Sequence, residues 1–299
     1  MTTHGIDRTL RLGLALAAAL AAGCGGPGAG DGESTLERLQ RRGVARVGYA
    51  NEAPYAYFDN AGGRLTGEAV EIARVVLERI GVPRVEGVLT EFGSLIPGLA
   101  AGRFDLIAAG MYVTPERCRQ IAFTRPTYGI GEAFVVEAGN PLDLHSYAAV
   151  AEHPAARLGV VAGAIELGYA RAAGIPDDRI LLFPDAPSAV EAVRAGRADA
   201  YGGTSLTVSD LLRKAGDSGL ERAAPFTDPE VEGRRVRGYG AFGVRKEDRD
   251  LLRRLDEELA AFIGSSEHLE LVRPFGFTAA ELPGGVTSGE LCAAPEKAS

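Results

Sequence analysis

The residues best equipped for chemistry in this chain centre on Arg117. The strand-like run DLIAAGMYV, ending at Val113, leads into Thr114-Pro115-Glu116-Arg117, which reads as a helix start. Thr114 can cap that helix, Pro115 fits its first position and Glu116 suits the positive N-terminal dipole. Arg117 gains nothing there. Its guanidinium is a planar fork that holds a carboxylate through two parallel N–H donors. Such a breach of a local rule is either an inconsequential surface choice or a site. Around it in the sequence stand groups of complementary type. The loop ANEAPYAYF at 50–58 offers Glu52, Tyr55 and Tyr57, EFGS at 91–94 offers Phe92, and the strand end offers Gly110 and Tyr112. Aromatic faces hold delocalised cations, and Glu52 would neutralise one. One arginine, several rings and one acid suit a small zwitterion. Tyr57, Phe58 and Phe92 taken singly read equally well as core residues.

Covalent and metal chemistry find less support. The chain has no GxSxG, no P-loop and no paired Cys and His. A lone carboxylate near an arginine is the sole candidate proton donor. Four scattered histidines without CxxC or HExxH spacing do not make a metal site, and nothing calls for a cofactor. No catalytic residue is assigned.

The elements that must position these residues alternate. TLERLQRR with Gly43 behind it reads as a short amphipathic helix with a glycine stop, and VARVGYA as a strand. TGEAVEIARVVLERIG reads as a sheet-packed helix with Thr66 as N-cap and Gly81 as stop, and PRVEGVL as the next strand. This β-α-β-α order implies an α/β fold with a mainly parallel sheet. Two segments 94 residues apart resemble each other: LAAGRFDLIAAG at 99–110 and VRAGRADAYGG at 193–203. Each is a helix end, Ala-Gly-Arg, one residue, Asp and a buried strand. The spacing is too long for a solenoid and suits two similar lobes, although the device is common enough to recur by chance. In such folds ligands lie at the carboxyl ends of strands. That places Arg117 at a cleft after the first copy, and Gly203 and Thr204 after the second.

The N-terminus reads as a lipoprotein signal over 1–23. Arg8 and Arg11 precede the apolar LGLALAAALAAG, and Cys24 follows as the lipidation site. LAAGC is an imperfect lipobox, so an ordinary secretory signal is the alternative. GGPGAGDGES then reads as a tether, over 24–34 with Cys24. The expected location is extracytoplasmic, on the outer membrane face or in the periplasm. Net charge is −8, and removing Arg8, Arg11 and Asp7 with the leader takes it to −9, which argues against nucleic acid as a partner. With Cys24 taken by lipid, Cys118 and Cys292 remain. In an exported chain an even pair suggests a disulfide, two unrelated thiols being the alternative.

The runs VGYANEAPYAYFDNAGGRLTGEAVEIARVVL, LIPGLAAGRFDLIAAGMYVTPERCRQIAFTRPTY and VRAGRADAYGG resemble the solute-binding proteins of polar amino-acid ABC importers, over roughly 35–282. The resemblance implies a type II periplasmic-binding-protein fold, with two α/β lobes joined by two hinge strands that close on ligand. It implies that Arg117 binds the ligand carboxylate with help from Thr114, and that Tyr55 stacks on the ligand. One departure stands out. Where these proteins commonly hold the α-ammonium with an Asp, this chain has Thr204. NEAPY, TEFGSLIPGLAAGRFD, AAGMYVTPERC and TYGIGEAF resemble, more narrowly, the ectoine- and hydroxyectoine-binding proteins of osmolyte importers. On that likeness Arg117 takes the carboxylate, Tyr55, Phe92 and Tyr112 box the ring, and Glu52 pairs with the amidinium. Gly163 to Glu166, read as opening the second lobe's first helix, would offer backbone N–H groups. Glu166 is equally readable as a favourable first-turn acid. The implied protein is a monomeric, lipid-anchored receptor serving an ABC permease. A polar amino-acid receptor or an exported dehydratase-type enzyme on the same fold are the alternatives. Lobe 1 is expected over 35–136 and 240–282, lobe 2 over 137–239, and a tail over 283–299. The crossings are expected at 133–138 and 238–244.

Overall fold

The computed structural model describes residues 32–216, 219–231 and 234–293. The expected leader, the expected lipidation site at Cys24, the expected tether up to residue 31 and the last six residues of the tail lie outside the described residues. Among those described, no helix is long and apolar enough to cross a membrane.

The first helix, Thr35–Arg42, starts at a capping box in which Ser34 and Glu37 satisfy each other's backbone, and stops at Gly43 with φ 64°. Helix Glu68–Arg79 is capped differently from expectation. Its N-cap is Gly67, with no side-chain bond, because the Thr66 hydroxyl donates to Glu71 Oε1 at 2.7 Å instead.

Two five-stranded sheets follow, one per lobe. In the first, Arg84–Leu89, Val44–Tyr49 and Leu106–Ile107 run parallel, and Gly243–Val244 lies antiparallel between Leu106–Ile107 and Ala122–Phe123. In the second, Ile180–Phe183, Leu158–Val161 and Ala200–Thr204 run parallel, while Glu132–Glu137 pairs antiparallel with both Ala200–Thr204 and Leu220–Arg222. The sheets are therefore mixed rather than mainly parallel. A chain that leaves one sheet, builds the other and returns must bring at least one strand in against the rest. The two connections pair with each other, Tyr128–Ile130 antiparallel to Gly238–Gly240. Residues 133–138, expected as the first crossing, instead lie almost wholly in the second-sheet strand Glu132–Glu137, so that crossing comes one element earlier. An apolar run with Gly at its head looks the same whether it crosses between lobes or fills one.

The internal similarity has a structural counterpart. Asp105 of the first copy accepts the Arg46 backbone N–H at 2.9 Å and its Nη2 at 3.2 Å, while Gly102 accepts Nη2 at 3.0 Å. Asp199 of the second accepts the Arg157 backbone N–H at 2.8 Å and its Nη2 at 3.2 Å, and Gly196 takes the role of Gly102 at 2.8 Å. In each lobe the repeat's Asp thus pins an arginine of that lobe's parallel sheet region. A short helix, Ser288–Ala293, ends the described chain against helix Pro115–Cys118. Cys292 is disulfide-bonded to Cys118 there, with Cα atoms 5.7 Å apart.

Candidate functional site

The cleft between the lobes holds about 390 Å³ of space free of protein atoms, part of it open to solvent. From the first lobe it is lined by Glu52, Tyr55, Phe92, Gly110, Tyr112 and Arg117, and from the second by Val161, Ala164, Ile165, Glu166, Tyr201 and Thr204. All but Tyr201, which lies inside the strand Ala200–Thr204, stand at or beyond the carboxyl end of a sheet strand, where successive loops converge. A wider cavity of about 710 Å³ adjoins it, sharing Glu52, Phe92 and Val161 and adding Tyr57, Phe58, Asp210 and Lys214. Of the rings with a core alternative, Phe58 is 45% exposed and Tyr57 half-buried, with Lys214 Nζ 5.0 Å from the Tyr57 ring centroid. Phe92 is buried, yet it faces both cavities.

Arg117 is 8% exposed. Thr114, the N-cap, accepts the Arg117 backbone N–H at 3.2 Å and so sets the turn from which the side chain leaves. Nη1 donates to the Tyr112 carbonyl at 2.9 Å, and Nη2 donates across the cleft to the Gly163 carbonyl at 3.0 Å. The guanidinium carbon lies 5.5 Å from the Phe92 ring centroid. Burial pulls the Arg117 pKa down and the Glu166 charge opposes it, but an arginine stays charged. It takes part in none of the ion pairs among the described residues. A buried cation without an ionic partner is costly, and the fork's remaining N–H groups are what a carboxylate would use. Thr114 and Gly163 themselves do not line the cavity. Gly163 contributes its carbonyl rather than the expected N–H groups, because the helix begins only at Glu166. Its φ of +80° and the Gly93 Cα, 2.5 Å from where a Cβ would sit, make glycine necessary where the two lobes' backbones meet.

Tyr55 is 1% exposed, stacked on Tyr128 with centroids 5.0 Å apart, and edged by Phe277 at 5.7 Å. Gly110, at φ +69°, lets that ring lie against the strand end, since a Cβ there would meet Tyr55 Cγ at 2.5 Å. The Tyr55 hydroxyl donates to Thr204 Oγ1 of the other lobe at 2.8 Å.

Carboxyl groups dominate the electrostatics. Burial raises Glu52 to about 7 against a lowering hydrogen bond from Thr207. Burial also raises Glu166 to about 7, with Arg117 working against the rise. Glu132, buried beside it, is pushed well above the carboxylate range by burial and by the charges of Glu166 and Asp228. The Tyr112 hydroxyl donates toward Glu132 Oε1 at 3.4 Å. No group of His, Cys, Asp and Glu among the described residues has the arrangement of a metal site.

Residues 45–277 match the family described as bacterial extracellular solute-binding proteins, family 3. The chain belongs to that family. A probable amino-acid ABC transporter periplasmic-binding protein (y4tE) of Sinorhizobium fredii is 38% identical over 266 residues, covering 87% of each chain. Among solved structures, EhuB in complex with hydroxyectoine matches at TM-score 0.79 and 38% identity, over 87% of this chain and 98% of that one. An ancestral amino acid-binding protein, described as a precursor of cyclohexadienyl dehydratase, matches at TM-score 0.70 and 26% identity, over 81% and 99%. The two-lobe architecture of this solute-binding protein is thus the family's.

Sequence reasoning did not single out Tyr201, Glu132 or Val161, and read Ala164 and Ile165 only as backbone within the run Gly163 to Glu166. Glu132 carried a signal, being a carboxylate at the head of the apolar run EAFVV. Tyr201 carried one too, as a large ring in a strand otherwise built of small residues. Val161, Ala164 and Ile165 look like any apolar strand end and turn.

Proposed function

We propose that this protein is the extracytoplasmic receptor of an ABC importer and captures ectoine or hydroxyectoine between its lobes. The observation that carries the reading is the pairing of charges in one cavity. Arg117 is buried and makes no ion pair among the described residues, Glu52 lines the same cavity, and the second-lobe position that commonly holds an α-ammonium is the uncharged Thr204. A planar zwitterion with a carboxylate and a delocalised cation meets both requirements. Its carboxylate would lie on the Arg117 fork, its ring against Tyr55, Phe92 and Tyr112, and its cation toward Glu52. Ligand contacts from both lobes favour the closed form, the step a permease would sense. The likeness to EhuB, solved with hydroxyectoine, supports the ligand class, and the likeness to y4tE supports a transport role. Lipid attachment at Cys24, a monomeric state and a permease partner belong to the same proposal.

Calorimetric titration of the purified protein with ectoine, hydroxyectoine and a panel of polar amino acids tests it. Saturable binding of the two cyclic zwitterions, with the amino acids much weaker, is expected. Binding of an α-amino acid in preference to both would establish the polar amino-acid reading instead.

A further inference from the structure

Thr204 and Thr207 lie in the second lobe, and their hydroxyls join two first-lobe residues in an unbroken chain. The Tyr55 hydroxyl donates to Thr204 Oγ1 at 2.8 Å, and Thr204 Oγ1 donates to Thr207 Oγ1 at 3.0 Å. Thr207 Oγ1 in turn donates to Glu52 Oε1 at 2.8 Å. The direction is dictated by its end. An ionised carboxylate only accepts, so Thr207 must donate to it, Thr204 must donate to Thr207, and Tyr55 must supply the last proton. Thr204 Oγ1 also accepts the Thr207 backbone N–H at 3.2 Å. With one donor and two acceptor sites, its hydrogen-bonding capacity is then full. Although it lines the cavity, Thr204 has nothing left to offer a ligand ammonium.

We infer that Thr204 and Thr207 are positioning residues: their chain latches the lobes together through Tyr55 and aims the Glu52 carboxyl at the ligand's cation. This rests on the proposed zwitterion reading for Glu52's role, but not for the latch. Both outer bonds cross the cleft, so they break when the lobes part. Both threonines are buried, at 7% and 1% exposure, where hydrogen bonds count for more than in water. Burial is the main cause that raises Glu52 to about 7, and the Thr207 bond is the force opposing that rise. The other ionisable groups around Glu52 are Glu166, Tyr201, Asp210 and Lys214 from the second lobe, and Tyr55 and Tyr128 from its own. Glu166 raises Glu52 further; no neighbouring cation is among the causes that lower it. Opening the cleft therefore removes Glu52's hydrogen-bond donor.

Two measurements on the full chain test this. Spin labels or fluorophores, one per lobe, report lobe separation without ligand. Tyr55→Phe, which keeps the ring, and Thr207→Val, which keeps the shape, are both expected to shift the distribution toward open. Ectoine affinity against pH reports Glu52. In the parent it is expected to weaken as pH falls through about 7. Thr207→Val is expected to move that midpoint upward and weaken binding at pH 7 roughly tenfold or more, with Thr207→Ser restoring both. Lobe-separation distributions that coincide for parent, Tyr55→Phe and Thr207→Val overturn the latch, whether or not ectoine binds. A midpoint unmoved by Thr207→Val overturns the positioning role. Separations that differ while no ectoine binds leave the latch standing and remove the ligand reading.

Discussion

Arg117 shows how far a single residue can be read. Its placement in a helix's first turn has no local benefit, and the fold supplies the missing reason by burying its fork at the lobe junction beside Phe92. Replacement by alanine is expected to cost about 2–5 kcal/mol of ectoine binding, as for buried charge pairs that lose one partner. Arg117→Lys is expected to bind poorly too, because a point charge cannot reproduce the fork or the two carbonyl contacts. Titration of each variant, with circular dichroism to confirm folding, measures the effect. An unchanged affinity for Arg117→Ala would assign the carboxylate elsewhere. Glu52, Tyr55, Phe92 and Tyr112 were legible for the same reason as Arg117: each stands in a loop directly after a recognisable strand. Glu132 and Tyr201 carried weaker signals that were not read as a site, because they lie inside strands, where a carboxylate or a ring is easily taken for packing. Thr204 was legible as a departure from its relatives' pattern, but its bonds to Tyr55 and Thr207 join residues far apart in sequence.

At the scale of elements, alternation and glycine stops mark helices well because they are local. Pairing direction and the crossings are set by which strands meet in space, and here local pattern ran out. GIGEAFVVEA contains both a connection and a second-sheet strand, and no residue type divides them. The four-residue helix Pro115–Cys118 is too short to hold itself. It is braced by the Thr114 cap and by the Cys118–Cys292 bond one residue beyond Arg117. Cys292→Ser is expected to lower unfolding free energy by about 2–4 kcal/mol, read as a shifted denaturant midpoint. Because the tail helix also braces Arg117's turn, ectoine affinity should fall in the same variant. Two free thiols in the unreduced, denatured parent would remove this account.

For the whole molecule, buried carboxyls set the pH response. Burial raises Glu68 to about 8, and Glu52 and Glu166 to about 7, from an ordinary 4.5. Between those values the folded state holds protons that the unfolded state has lost, so ligand-free stability should fall as pH rises from about 4.5 toward 8. His268 acts oppositely. Burial lowers it to about 4 from 6.5, so its contribution is lost as pH falls through that window. Thermal midpoints are thus expected to peak in the mildly acidic range, with Glu68→Gln flattening the decline toward pH 8. Midpoints that rise from pH 6 to 8 would contradict the assignment. The two-lobe plan was visible in the AGRFD and AGRAD repeat. The closeness of the lobes was not, since it rests on contacts such as Arg117 to Gly163 and Tyr55 to Thr204. The most direct test of the central claim is a crystal structure of the protein with ectoine. The account predicts the ligand between the lobes, its carboxylate on the Arg117 fork and its amidinium edge toward Glu52. A ligand outside the cleft, or one with its carboxylate turned away from Arg117, would contradict it.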